Sequence, residues 1–221
     1  KSAKDLKKKF REIKIKFTII DVNSPSSDID KILSKISNED FESEHNSVED
    51  IRDSKDNMST TMASIRHSFH HAKNCTDLIY FVEDDYIHKT ETLAEMLFAY
   101  EKFSSIFQDE IFILSTDYPY LYKKMNNSNI LIGENTHWRT VKESLLTFMT
   151  SKKMIEKHFE KLIDMATNES NPFEKNLHEI YEKEKCFSPI PSLSIHCANV
   201  NSVFGLSPNI DLKKLWDENK V

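Results

Sequence analysis

Leu78-Ile-Tyr-Phe-Val-Glu-Asp-Asp-Tyr86 joins a short run of strand-forming apolar residues directly to three consecutive carboxylates. Ile, Tyr, Phe and Val in a row predict a buried strand of a parallel sheet, and ligands of open α/β sheets bind beyond the carboxyl ends of such strands. Three neighbouring acids repel one another, so holding them together calls for a cation. Hard divalent ions such as Mg²⁺ and Mn²⁺ select oxygen ligands of this kind. Alternate side chains of an extended segment share a face, which directs Glu83 and Asp85 one way and Asp84 the other.

Helix and strand alternate on either side of this stretch. The spacing predicts a helix over 3–12, a strand from Ile13 to Ile20 that ends at Asp21, and a helix from Asp28 to Ser37. Met58, Met62, Ile65, Phe69 and Ala72 mark an amphipathic helix leading into the central strand. Thr90 is positioned to cap a helix running to about 105, and Glu110–Leu114 is a further strand. Beyond it the pattern is less regular: short strands at 129–132 and 138–141, another near 145–149, and helices over 151–166 and 173–184. This alternation predicts an α/β sandwich with a mostly parallel central sheet. At 221 residues the chain reads as one domain. Residues up to about 115 would form a nucleotide- and metal-binding half, and 116–221 an acceptor-side half.

Composition removes several classes. The net charge of −6 argues against a nucleic-acid-binding domain, and the basic stretch from Lys7 to Lys16 reads as a solvated helix end. No apolar run reaches the roughly 18 residues of a membrane span. Cys75, Cys186 and Cys197 are odd in number and lack C-x-x-C spacing, which suits a reducing compartment. A cytoplasmic location is therefore expected, with peripheral membrane attachment left open. The first residue is Lys rather than Met, so a trimmed product or fragment is also expected. Only Gly133 and Gly205 occur, too few for a P-loop or a dinucleotide-binding fingerprint. A phosphorylated ligand would have to be met by metal ions, basic side chains or helix ends.

The order Phe17-Thr-Ile-Ile-Asp21, then Ala63-Ser-Ile-Arg66 with Ala72, then Leu78 to Asp85 resembles the nucleotide-binding half of GT-A type glycosyltransferases, the broad family 2 above all. The resemblance spans roughly residues 13–105. It implies transfer of a sugar from a nucleoside-diphosphate donor to a glycan or other hydroxyl acceptor, dependent on Mn²⁺ or Mg²⁺. It gives Asp21, with Asn23 beside it, the nucleotide base, and gives Asp85 the metal. Glu83 and Asp84 support ribose and metal, and Arg66 meets the nucleotide. His67 stands where the family often has Asn. The resemblance also implies a first strand ahead of the opening helix, and that strand is missing from this sequence. A late His is an additional metal ligand in several such enzymes, which points to His196; a structural role is the alternative.

Trp138 and Arg139 are candidates for the acceptor or sugar, by ring stacking and phosphate pairing, with core packing the alternative for Trp138. The catalytic base is either Glu174, after Asn171-Pro-Phe, or Asp117, at a strand end. Asp21 in Asp21-Val-Asn-Ser-Pro25 equally suits a ligand-free Asx turn. A truncated, non-catalytic binding module and a nucleotidyltransferase remain alternatives, the latter disfavoured by the missing Gly-rich loop.

Overall fold

A computed structural model of the chain describes residues 1–22, 24–39, 41–48, 57–123, 125, 127–198 and 200–220. Asn23 lies outside the described residues, as does the side chain of Met58. The first half runs α1 (Ser2–Lys9), β1 (Lys16–Asp21), α2 (Ser26–Ser37), β2 (Glu42–Ser47), α3 (Asn57–Ala72) and β3 (Leu78–Phe81). It continues through β4 (Tyr86–His88), α4 (Thr92–Phe107) and β5 (Phe112–Leu114). The second half comprises β6 (Ile130–Ile132), β7 (His137–Thr140), β8 (Phe148–Ser151), α5 (Lys152–Lys157) and α6 (Phe159–Met165). Last come α7 (Lys175–Tyr181), β9 (Cys186–Ile190), β10 (Ser194–His196) and α8 (Leu212–Asn219).

The protein is α/β, but its central sheet is mixed, which corrects the expectation of a mostly parallel one. Six strands lie in the order β3-β8-β5-β9-β7-β6. Within them only β5 and β9 pair in parallel, and the remaining pairs are antiparallel. The βαβ connection through α4 does make β3 and β5 run the same way, as such crossovers require. They are nevertheless not neighbours. β8 returns from the second half and inserts between them, antiparallel to both. Hydrophobic pattern reports which face a strand buries and carries no information on its direction. β1 and β2 form a separate parallel pair, and β4 and β10 a separate antiparallel one.

Two apolar layers cover the six-stranded sheet. On one side Phe69 and Ile65 of α3 join Met154, Ile155, Leu162, Met165, Leu177 and Ile180 from α5, α6 and α7. On the other, Met96, Tyr100 and Phe103 of α4 pack against Ile113, Met149 and Phe187. The expected 151–166 helix is broken at His158 into α5 and α6. The expected cap of α4 also differs. Helix starts need partners for their first amides; Glu91, just ahead of α4, gives no side-chain cap, and Ser2 Oγ of α1 accepts from the Leu93 amide at 2.9 Å instead, while Thr92 donates to the Lys89 and Leu193 carbonyls.

Trp138 is fully buried, edge-on to Phe103 at 6.4 Å between ring centroids. A Cβ at Gly133 would stand 2.5 Å from Trp138 Nε1, so the indole fits there only against a glycine. Trp138→Ala is expected to cost about 3–5 kcal/mol, the usual range for deleting a buried aromatic ring, read from urea unfolding midpoints.

Beneath the carboxyl ends of β3 and β5 lies a buried polar network. Tyr80 Oη is 2.6 Å from His88 Nε2 and donates to Ser115 Oγ at 2.9 Å. Ser115 and Thr116 both bond Ser194 Oγ, at 2.7 and 2.5 Å. These bonds satisfy hydroxyls that would be costly to bury alone, and they pin β10 against the main sheet. Burial pushes the His88 imidazole from the ordinary 6.5 down to about 4. Below 6.5 the unfolded chain therefore binds a proton that the folded chain refuses, and stability is lost as pH falls towards 4. The His88 contribution to that loss is expected to be about 3 kcal/mol. Denaturation of the His88→Gln variant at several pH values should show a shallower acid decline than the parent.

Candidate functional site

Beyond Phe81 the chain leaves β3 and turns through Glu83, Asp84 and Asp85 before re-forming as β4. The alternation read from sequence holds in the exposures. Val82 is 51% exposed and Asp84 is also exposed, whereas Glu83 and Asp85 are half-buried. β10 delivers His196 opposite Tyr86 in an antiparallel register. His196 Nε2 then lies 2.9 Å from Asp85 Oδ2, and its ring stacks on Tyr86 with centroids 5.0 Å apart. The hydrogen bond to Asp85 raises the imidazole above its ordinary value. Asp85 Oδ1 and His196 Nδ1 are both buried without a hydrogen-bond partner. Buried polar atoms are rarely left so; these two, on adjacent side chains, could receive a polar ligand, although the Phe204 backbone also acts on the imidazole.

Glu83 lies alongside. Burial, the Asp85 charge and the Glu174 charge together push its carboxyl up to about 7. Its backbone N–H donates to Thr147 Oγ1 at 3.3 Å. Glu174 precedes the first residue of α7 and is raised above the usual carboxylate range by burial, an effect that the nearby His178 and His196 charges partly oppose. The fold thus gathers Glu83, Asp85, His196 and Glu174 from three distant parts of the sequence. Among the described residues, no group of three or more His, Cys, Asp or Glu side chains is placed to hold a metal ion by itself.

The other sequence candidates go elsewhere. Asp117 is buried, and its Oδ1 accepts from Arg139 Nη2 at 2.7 Å and from Ser188 Oγ at 3.3 Å. Its Oδ2 accepts from Tyr122 Oη. Three donors, one of them an arginine, leave this buried carboxylate mostly occupied, which makes Asp117 the weaker of the two candidate bases. Arg139 is likewise committed, its guanidinium lying 4.0 Å from the centre of the Tyr122 ring. Trp138 offers no face to a sugar, because it is wholly inside. Arg66 Nη1 donates to the Ala166 carbonyl at 3.1 Å, tying α3 to the end of α6. Asp21 stands on the separate β1–β2 pair and accepts from the Ser24 amide at 3.2 Å, the Asx-turn arrangement. Asn23 is outside the described residues.

No protein-family model matches this chain, and no curated protein matches it.

Sequence reading missed three contributors. Tyr86 had a signal, since it directly follows the acids and its ring lies against His196. Tyr118, whose hydroxyl is 2.6 Å from that of Tyr86, had only its place at a strand end. Thr147 had none; it reaches Glu83 only because β8 pairs antiparallel with β3.

Proposed function

We propose that this chain is a metal-dependent glycosyltransferase of GT-A type, moving a sugar from a nucleoside-diphosphate donor to a hydroxyl acceptor. One observation carries the reading: carboxylates at the tip of a sheet strand meet an imidazole from a distant strand, and each partner keeps a buried, unbonded atom. Asp85 and His196 are the residues that would hold Mn²⁺ or Mg²⁺, a carboxylate and an imidazole being acceptable donors to Mn²⁺. Two protein ligands suit ions that keep several positions for water and substrate phosphate. When bound, such an ion neutralises the leaving diphosphate. No helix among the described residues is long and apolar enough to cross a membrane.

Glu174 is the base in this reading. Burial raises its carboxyl, although His178 and His196 oppose the shift, and this moves it closer to the neutral range in which a general base works best. Glu83, whose carboxyl burial pushes up in the metal-free chain, would contact a nucleotide hydroxyl. Asp84, exposed on the opposite side, is left without a direct role. Glu174→Gln is expected to lower turnover by about 10²–10⁴-fold while donor affinity stays unchanged. An equal loss of donor affinity would remove Glu174 from the base role.

A binding module without turnover is the competing reading, favoured by the lack of a three-residue metal set among the described residues. Hydrolysis of nucleotide sugars in Mn²⁺ separates the two: slow release of free sugar marks an enzyme, and binding without release marks the module.

A further inference from the structure

Tyr120 carries a buried hydroxyl with no hydrogen-bond partner among the described residues. It lies in the 3₁₀ turn Pro119–Tyr122 that follows β5, and its amide donates to the Val203 carbonyl at 3.0 Å. Phe204, the next residue, packs on the Tyr120 ring with centroids 5.2 Å apart. The same row of rings reaches the proposed metal centre. Tyr120 stacks on Tyr118 at 5.7 Å, the Tyr118 and Tyr86 hydroxyls are 2.6 Å apart, and Tyr86 stacks on His196 at 5.0 Å. The carboxylates follow in the same order. Asp85 meets His196. Burial raises the Tyr86 and Tyr118 hydroxyls, and the Glu83 charge adds to it in both. Burial also raises Tyr120, with the Glu143 and Glu174 charges adding to it. All three phenols therefore stay protonated, and Tyr120 stands at the Glu174 end of the row.

Phe204 is the exposed member of this row, at 40%, whereas Tyr86 and Tyr118 are buried. Its backbone also acts on the His196 imidazole, so it adjoins both ends of the site. Its position is fixed from behind. Gly205 packs against the Val200 carbonyl so closely that a Cβ would come within 2.0 Å of the oxygen. The Leu206 amide donates to that same carbonyl at 2.9 Å, and Ser207 Oγ donates to the Asp117 carbonyl. A single exposed apolar side chain needs no explanation. One held beside a buried, unbonded hydroxyl and a carboxylate does, because buried donors are rarely left without partners.

We propose that Phe204 and Tyr120 form the acceptor subsite and that the acceptor is a saccharide, with one face of its ring on Phe204, one hydroxyl bonded to Tyr120 Oη and another presented to Glu174. Ligand sites combine an apolar lining with a few placed polar groups. A sugar ring matches that combination, since it has a C–H face and a rim of hydroxyls. A serine or threonine side chain presents one hydroxyl and cannot meet Tyr120 and Glu174 together. The proposal rests on the transferase reading for the role of Glu174. Neither Tyr120 nor Phe204 is among the residues to which the family resemblance gives a role.

Saturation-transfer NMR titrations test it, with the methyl glycosides of glucose, galactose, mannose and N-acetylglucosamine as probes. Each is added to the chain alone and to the chain with UDP or GDP plus Mn²⁺. At least one glycoside is expected to bind. Tyr120→Phe should weaken that binding roughly three- to tenfold, the worth of one hydrogen bond, and Phe204→Ala on the order of tenfold. The Tyr120→Phe chain should keep the parent Tm, because the hydroxyl it lacks bonds none of the described residues. Unchanged glycoside affinity in both variants would overturn the subsite, as would a fall in the Tm of Tyr120→Phe with affinity intact. Binding of no glycoside in either condition, or tighter binding of a serine- or threonine-containing peptide, also overturns it. A chain that binds glycosides but neither binds nor hydrolyses nucleotide sugars keeps the saccharide subsite and loses the transferase reading. A chain that hydrolyses nucleotide sugars and binds no glycoside loses the subsite alone.

Discussion

Replacing Asp85 with Ala is expected to abolish the Mn²⁺-dependent binding of UDP or GDP. Asp85 is the only carboxylate of the triplet bonded to His196, at 2.9 Å, and its Oδ1 is buried and unbonded. Loss of a residue that merely supports a metal ligand typically weakens affinity about 10–100-fold, so loss of a ligand itself should reach at least the upper end of that range. The parent chain should show a nucleotide-induced rise in Tm that requires Mn²⁺, since ligands of the folded state stabilise it by mass action. The Asp85→Ala chain should show none. Asp84→Ala, altering an exposed neighbour of equal charge, is the control and should retain the effect. Retention of Mn²⁺-dependent nucleotide affinity in Asp85→Ala would refute the metal assignment.

The second large effect concerns stability. Arg139 and Asp117 are 11% and 3% exposed at their side chains, with a 2.7 Å contact between them. Removing one member of such a pair strands the other charge in the interior, which typically costs about 3–5 kcal/mol. Asp117→Ala and Arg139→Met are each expected to fall in that range, and the double variant to lose clearly less than their sum. Urea unfolding of the four proteins provides the measurement. The result also separates structure from chemistry. A catalytic Asp117 would tolerate Asn with normal stability and no turnover; a structural Asp117 loses stability in both variants. Additive losses in the double variant would show that the two side chains do not act as a pair.

The Glu83-Asp84-Asp85 segment shows how far one dimension carries. Strand, acids and alternation are local properties, set by residues within a few positions of one another. They were legible because a period of two in an extended chain fixes which side chains share a face. Asp21 was legible for the same reason, and its Asx turn came from Asp, Asn, Ser and Pro in a row. Trp138 and Arg139 were not: the sequence leaves Trp138 between sugar stacking and core packing, and offers Arg139 to a phosphate. One turned into the core against Phe103 and the other onto Asp117. Asp117 and Glu174 were indistinguishable as bases until the fold gave the first an arginine and left the second beside Glu83.

By itself, then, the sequence determined an α/β chain with a strand ending in carboxylates, because hydrophobic period and charge are written residue by residue. Only the tertiary structure decided that the sheet is mixed, that β8 lies between β3 and β5, and that His196 reaches Asp85. Those outcomes depend on which strand edges meet. Backbone hydrogen bonds make every edge chemically alike, so the choice among them rests on packing across the whole chain.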